Sequence, residues 1–160
     1  MSVPEPKGVS GAYFVDARLF DAAGAELVKS LYWLSTKPDV LDWDESLWFV
    51  TPMEQYADLT GLAKMPEAEL EVEHELVATD EGHEVNVTLA NPGDTLAFFI
   101  ELEVVGAESG RLAAPVLWSD NYVSLAPGET LRISAQVPAH ALEGEAPVFR
   151  YAGINVPGIR

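Results

Sequence analysis

The chain has 160 residues, enough for one domain or for one domain with a piece of another. Hydrophobic residues make up 48% of it and charged residues 22%, as in globular proteins, and it has no cysteine for a disulfide or a thiolate metal site. With 26 acidic and 9 basic residues the formal net charge is −17, which argues against nucleic acid and anionic membranes as partners and permits a cationic one. The alternative is that the acidic residues only keep the protein in solution.

The first ten residues are predicted to be a flexible lead-in, since Pro4, Pro6 and Gly8 interrupt them. They lack the apolar core of a signal peptide, so we expect a cytoplasmic chain or one cut from a longer precursor. No apolar run approaches the roughly 18 to 20 residues of a membrane helix.

A β-hairpin is predicted next, with strands over residues 12–20 and 26–34 and a turn over residues 21–24. Apolar residues such as Val15 and Phe20 occur in both phases of the alternation, and a lone hairpin is marginal in water. We therefore expect the hairpin to dock on the sandwich that follows or to associate with a second copy of the chain.

Residues 36–66 lack regular alternation and are rich in aromatic side chains. A short helix is predicted over residues 56–64, and so long a connection is usually functional or docked between domains. Trp43 and Trp48 are candidate substrate-binding residues, because aromatic rings can stack on sugars. Filling a domain junction is the alternative.

From residue 67 onward, short alternating segments separated by Pro- and Gly-containing turns predict about seven strands, the last of them over residues 148–156. Leu96 and Phe98 are predicted to face inward and Ala97 and Phe99 outward, and His74 is expected at the edge of the core rather than as a ligand. The predicted fold class is all-β: an antiparallel immunoglobulin-like β-sandwich, preceded by the hairpin and the aromatic-rich connecting segment.

Three segments together, residues 31–43, 56–62 and 117–129, carry a family likeness. In this order they resemble the C-terminal part of family 2 glycoside hydrolases of the exo-β-D-glucosaminidase type, and in part the related β-mannosidases. The resemblance implies that residues 1–35 are strands left from a preceding immunoglobulin-like domain, residues 36–66 the connection, and residues 67–160 the terminal sandwich. The family's catalytic barrel has no counterpart here, so no position is assigned a catalytic glutamate.

The resemblance implies a non-catalytic accessory module with no cofactor, whose partners would be the other domains of the parent enzyme and a chitosan-type polysaccharide. The alternatives are a carbohydrate-binding module with its own aromatic platform and a purely structural interaction domain. The cellular location stays open, although parents of this type are often secreted or periplasmic.

Two polar clusters are further candidate sites. Asp120, Asn121 and Tyr122 are predicted to fix a turn, because Asp and Asn side chains bond to nearby backbone, or else to contact a substrate or another domain. The carboxylates of Asp42 and Glu45 lie in a second cluster with Asp44. For it a solvated turn is favoured over calcium binding or catalysis, since a retaining glycosidase needs two carboxyl groups about 5 to 5.5 Å apart across the sugar.

Overall fold

A computed structural model describes residues 8, 9 and 11–159 of the chain. They are nearly all β-structure, as predicted, and the chain divides into two compact units, Met1–Met65 and Pro66–Arg160. The predicted flexible lead-in falls almost wholly outside the described residues. In the described part of the chain, no helix has the length and apolar character needed to cross a membrane.

The first unit is built on the predicted hairpin. Its strands β1 (Ala12–Phe20) and β2 (Glu26–Ser35) pair antiparallel along their length. Asp21 closes the turn between them, since its Oδ1 accepts the backbone N–H groups of Ala23 and Ala25, each at 2.8 Å.

A short antiparallel pair, β3 (Val40–Leu41) and β4 (Met53–Gln55), follows the hairpin. The helix predicted over residues 56–64 is a 3₁₀ helix over Thr60–Lys64. None of the described residues of this unit is buried, so the unit has no closed core of its own.

Over residues 66–159, the second unit is an antiparallel sandwich of seven strands. They are β5 (Glu71–Thr79), β6 (Gly82–Ala90), β7 (Ala97–Gly106), β8 (Leu117–Trp118), β9 (Val123–Leu125), β10 (Thr130–Pro138) and β11 (Pro147–Ala152). One sheet has the order β5-β6-β10-β8 and the other the order β11-β7-β9. A second 3₁₀ helix, Ala139–Leu142, follows β10.

The core of the second unit lies between these two sheets and consists of their inward apolar side chains. This confirms the predicted alternation on β6 and β10, where every second residue is buried over residues 85–89 and 133–137. The largest fully buried apolar side chains are Phe98, Leu89, Ile100, Leu102, Leu125, Val85, Val104, Val105 and Val137.

The alternation predicted for the start of β7 is wrong by one residue. Ala97, expected to face outward, is fully buried in the core, and Leu96 is only partly buried. The register with β9 shifts between Ala97 and Ile100, where Phe99 takes a φ of +56°. An extra residue in a strand reverses the phase on one side of it, and this bulge therefore moves Ala97 into the core.

Two smaller predictions fall at the edges of the sandwich. His74 lies on the exposed edge strand β5, and its ring contacts the buried ring of Phe149 with centroids 4.8 Å apart. His74 is itself exposed, and this ring contact is what places it at the edge of the core. The last strand, expected to reach residue 156, ends at Ala152, and the chain then turns so that the buried Asn155 can bond to other backbone.

Candidate functional site

Residues 119–122 carry the chain from one sheet of the sandwich to the other. The N–H of Ser119 donates to the carbonyl of Ser134 on β10 at 2.8 Å, and the Oγ of Ser119 accepts the N–H of Ser134 at 3.0 Å. The side chain of Asn121 makes an equivalent pair of hydrogen bonds to the backbone of Leu102 on β7. Its Oδ1 accepts the N–H of Leu102 at 2.8 Å and its Nδ2 donates to the Leu102 carbonyl at 3.0 Å. The segment is thus anchored to both sheets.

Asp120 and Asn121 also bond within the segment itself. Asp120 Oδ1 accepts the N–H of Asn121, and Asn121 Oδ1 accepts the N–H of Tyr122, both at 2.8 Å. These are the contacts that the turn interpretation requires. A contact of Asp120 or Asn121 with a substrate stays a prediction.

Tyr122 differs from its two neighbours because its side chain stands out on the surface, 49% exposed. Its ring lies beside that of Phe99, with centroids 5.4 Å apart and planes inclined by 43°. The Tyr122 hydroxyl donates to Glu101 Oε1 at 2.7 Å. That hydrogen bond, and then the negative charges of Glu101 and Glu103, raise the pKa of the Tyr122 hydroxyl above its usual value.

Sequence reasoning missed Phe99 and Glu101 as neighbours of Tyr122. They lie about twenty positions earlier, and only the pairing of β7 with β9 brings them together. The available signal was the outward phase of β7, where Phe99 alternates with Glu101 and Glu103. An aromatic residue on an otherwise charged face is unusual enough to mark that face.

The other candidate surface is the loop of residues 42–52 between β3 and β4, which we call the finger. Its base is closed by the N–H of Asp42 bonded to the Pro52 carbonyl at 2.9 Å. Near the tip, the N–H of Leu47 bonds to the Val50 carbonyl at 2.8 Å. The finger is therefore an ordered loop rather than an unstructured connection.

The finger presents aromatic side chains to solvent. Trp48 at its tip is 93% exposed, with the neighbouring Phe49 ring edge-on at 4.9 Å, and Trp43 is 71% exposed. The structure thus places both candidate tryptophans on one loop with their side chains largely exposed. Asp120, Asn121 and Tyr122 belong to the other compact unit.

The acidic cluster at the base of the finger forms a local turn. Asp42 Oδ1 accepts the N–H of Glu45 at 3.1 Å, as expected for a solvated turn. Among residues 8, 9 and 11–159, no group of three or more histidine, aspartate or glutamate side chains is arranged to hold a metal ion.

The fold defines the class of this protein as an immunoglobulin-like sandwich preceded by a unit without a closed core. Comparison with known proteins gives its family. The model of the exo-β-D-glucosaminidase Ig-fold domain matches residues 48–156. The chain belongs to this family of Ig-fold domains.

Curated relatives are whole enzymes much longer than this chain. The exo-β-D-glucosaminidase of Streptomyces avermitilis is 38% identical over 92% of the chain, and that of Amycolatopsis orientalis is 37% identical over 97% of it. The chain spans only 17% and 15% of these two relatives. The crystal structure of the Amycolatopsis orientalis exo-chitosanase CsxA matches 99% of the chain with a TM-score of 0.89 and 36% identity, and the match covers 19% of the CsxA chain.

Proposed function

We propose that this chain is a non-catalytic accessory module of a family 2 glycoside hydrolase that acts on glucosaminides. Its task is to pack against the other domains of such an enzyme. The observation that carries this proposal is the exposed apolar surface of the first unit, in which no described residue is buried. A surface of this kind on a stable protein marks an interaction site.

The finger is the part of this surface best suited to dock. Trp48 stands at the tip of an ordered loop, so little conformational freedom is lost when a partner covers it. Tryptophans that fill a partner's pocket are frequent centres of binding energy. Since the relatives extend far beyond the segment that matches this chain, the other domains of a parent enzyme are the natural partner.

Complementation tests the docking proposal. The Amycolatopsis orientalis enzyme is truncated to remove the region that matches this chain, the chain is added back, and hydrolysis of PNP-β-D-glucosamine, a compound bound in solved CsxA complexes, is measured. We expect the chain alone to be inactive and the mixture to regain activity. Trp48→Ser should weaken complementation at least about tenfold, whereas Leu117→Ser, at an exposed apolar residue of the second unit, should not. Hydrolysis by the chain alone, or equal complementation by Trp48→Ser, contradicts the proposal.

The net charge of −17 supports a second contribution, attraction of substrate. Chitosan is polycationic when its amines are protonated, and a strongly acidic module raises the local concentration of such a polymer. Binding of chitosan oligomers should therefore weaken as salt rises from about 0.05 to about 0.5 M, where the Debye length falls to a few ångströms. Binding that does not respond to salt removes this contribution.

A carbohydrate-binding module with its own aromatic platform is the second candidate function. The exposure of Trp43 and Trp48 favours it, because a platform must present its ring faces to the sugar. Titration with glucosamine oligomers should then change the tryptophan fluorescence, and Trp43→Ala or Trp48→Ala should abolish the change. A silent titration favours the docking role alone.

A further inference from the structure

Strand β6 contains the sequence Asn86-Val87-Thr88, which has the Asn-X-Ser/Thr pattern of an N-glycosylation acceptor. Side chains alternate along a strand, so Asn86 and Thr88 share the outer face of the sheet while Val87 belongs to the core. Asn86 is exposed and Thr88 is partly exposed. Both polar groups of the pattern therefore lie on the same solvent-facing surface.

The use that the fold makes of each asparagine supports the assignment, because so short a pattern also arises by chance. The sequence has four asparagines, and the side-chain amides of the other three are bound to backbone. Those of Asn91 and Asn155 are buried, and that of Asn121 is bonded to β7. The side chain of Asn86 makes no hydrogen bond with any residue that the structure describes. The asparagine of the pattern is thus the one whose amide the described part of the fold does not use.

The surface around Asn86 has room for a sugar chain. Its cross-strand neighbours are Glu75 on β5 and Ser134 on β10, and both are exposed. Open depressions of about 410 and 380 Å³ adjoin Asn86 on this face of the sheet. A glycan on Asn86 would therefore extend over the outer face without displacing a core side chain.

We propose that Asn86 is an acceptor for an N-linked glycan, with a lipid-linked oligosaccharide as the donor. The Asn86 Nδ2 forms a bond to C1 of the first sugar, and the bond between C1 and the diphosphate oxygen breaks. The lipid diphosphate leaves with the electron pair of that bond, and Nδ2 releases one proton. The transfer takes place on the chain as it enters a secretory pathway, and the folded sheet then presents the glycan to solvent. This assignment is independent of the accessory role.

Expression of the full chain behind a cleavable signal peptide in a eukaryotic secretory host tests the site. We expect a secreted species of lower gel mobility, which peptide-N-glycosidase returns to the mobility of the unmodified chain. Mass spectrometry should place the sugar on Asn86. The glycosylated chain should unfold at no lower urea concentration than the same chain made in the cytosol, because the glycan leaves the core undisturbed.

Substitutions within the pattern test each of its polar groups. Asn86→Gln removes the acceptor amide from its position and should abolish the modified species. Thr88→Ala removes the hydroxyl that the pattern requires and should do the same, whereas Thr88→Ser keeps the hydroxyl and should retain the glycan. Both positions face solvent, where substitutions usually change stability little, and urea denaturation checks that each variant folds.

A matched control separates recognition of the pattern from tolerance by the fold. Asn86→Gln combined with Pro157→Thr moves the pattern to Asn155, which is buried. The Asn155 Nδ2 donates to the carbonyls of Pro66 and Leu96, each at 2.8 Å. A glycan on that nitrogen is incompatible with these bonds, so glycosylated chains of the double variant should be secreted at least about tenfold less than the glycosylated parent chain.

Four results would overturn the assignment. They are a parent chain secreted without a glycan, a glycan that persists in Asn86→Gln, a glycosylated parent chain that unfolds at a lower urea concentration than the unmodified chain, and equal secretion of the glycosylated double variant. The first two would show that Asn86 is not the acceptor. The last two would show that the exposure of Asn86 on the sheet is not what makes the glycan acceptable.

Discussion

Among individual residues, Asn91 anchors the sandwich through a buried amide side chain. It is 1% exposed, and its Nδ2 donates to the carbonyls of Thr95 at 2.8 Å and Leu125 at 2.9 Å, while its Oδ1 accepts the N–H of Gly93 at 3.1 Å. The hydrogen bond to Leu125 is buried, and the other two are partly buried. We expect Asn91→Ala to lower the free energy of unfolding by about 2 kcal/mol in urea denaturation, because buried partners lose their hydrogen bonds.

A second substitution at Asn91 tests the hydrogen-bond argument more directly. Asn91→Asp has nearly the same shape, but its ionised carboxylate has no donor for the carbonyls of Thr95 and Leu125 and repels them, so it should cost more than Asn91→Ala at neutral pH. Asn86→Ala, on the exposed face of β6, should stay within about 0.5 kcal/mol of the parent chain. If Asn91→Asp is as stable as the parent, the hydrogen-bond argument is wrong.

We expect Glu145 to make the stability of the second unit depend on pH. Its Oε2 accepts the N–H groups of Glu108 and Ser109, each at 2.9 Å, and the hydrogen bonds to Ser109, then Glu108, lower the pKa of the Glu145 carboxyl below 4.5. A lowered folded-state pKa means that the stabilisation is complete above the unfolded-state pKa and is lost as the pH falls through the folded-state value.

Glu145→Gln should reveal this dependence. We expect the parent chain to be the more stable of the two by chemical denaturation at about pH 6, and the difference to shrink steadily towards about pH 3 as the Glu145 carboxylate is protonated. Glu108→Gln is the control, since the Glu108 backbone, not its carboxylate, takes part in the contact. A difference that is constant with pH would show that the carboxylate charge is not the cause.

At the scale of strands and turns, the β5–β6 hairpin depends on a glycine. Gly82 takes a φ of +146°, and a Cβ there would overlap the Val137 carbonyl oxygen and lie 2.6 Å from the N of Ala139. Gly82→Ala should therefore destabilise the sandwich by at least about 3 kcal/mol, because rigid backbone of β10 has to move.

Gly144→Ala is the matched control for Gly82→Ala. Gly144 also has a positive φ, +88°, but a Cβ there meets nothing within 4 Å. Its substitution should cost only the strain of the left-handed region, about 1 to 2 kcal/mol. Urea denaturation of both variants separates the effect of backbone strain from the effect of atomic overlap. If both variants lose the same free energy of unfolding, the β5–β6 turn must relax enough to remove the overlap.

Strands β6 and β10 could be predicted from the sequence because each buries one face, and burial imposes a period of two. The start of β7 could not, because the bulge at Phe99 depends on a hydrogen bond from its N–H to Ser124, 25 positions away. The end of β11 escaped prediction for a similar reason. The buried side chain of Asn155 accepts the N–H of Phe98 and donates to the Leu96 carbonyl. No local sequence pattern shows partners that lie so far apart along the chain.

The two candidate surfaces were predictable to different degrees. Trp43 and Trp48 were marked by composition alone, since the connection is rich in aromatic residues that follow no periodicity. Tyr122 was marked by its turn motif, but its partners Phe99 and Glu101 come from another strand. A pair formed across a sheet becomes visible only once strand register is known.

At the scale of the whole molecule, burial is distributed unequally. Every buried residue described lies in the second unit, whereas the first has large exposed apolar side chains from Leu19 to Tyr56. Because a net charge of −17 opposes close approach of two copies, apolar contact and electrostatic repulsion act against each other in any self-association.

We expect the isolated chain to self-associate through the first unit, and more strongly at high salt. Sedimentation velocity at several concentrations should show a heavier species that increases from about 0.05 to about 0.5 M salt, because screening removes repulsion and leaves apolar contact. Trp48→Ser should reduce it, and Leu117→Ser should not. Binding of a cationic glucosamine oligomer should respond to salt in the opposite direction, so the two processes can be told apart in one buffer series. A chain that stays monomeric at every concentration while its first 35 residues are rapidly digested by protease would contradict association through this unit.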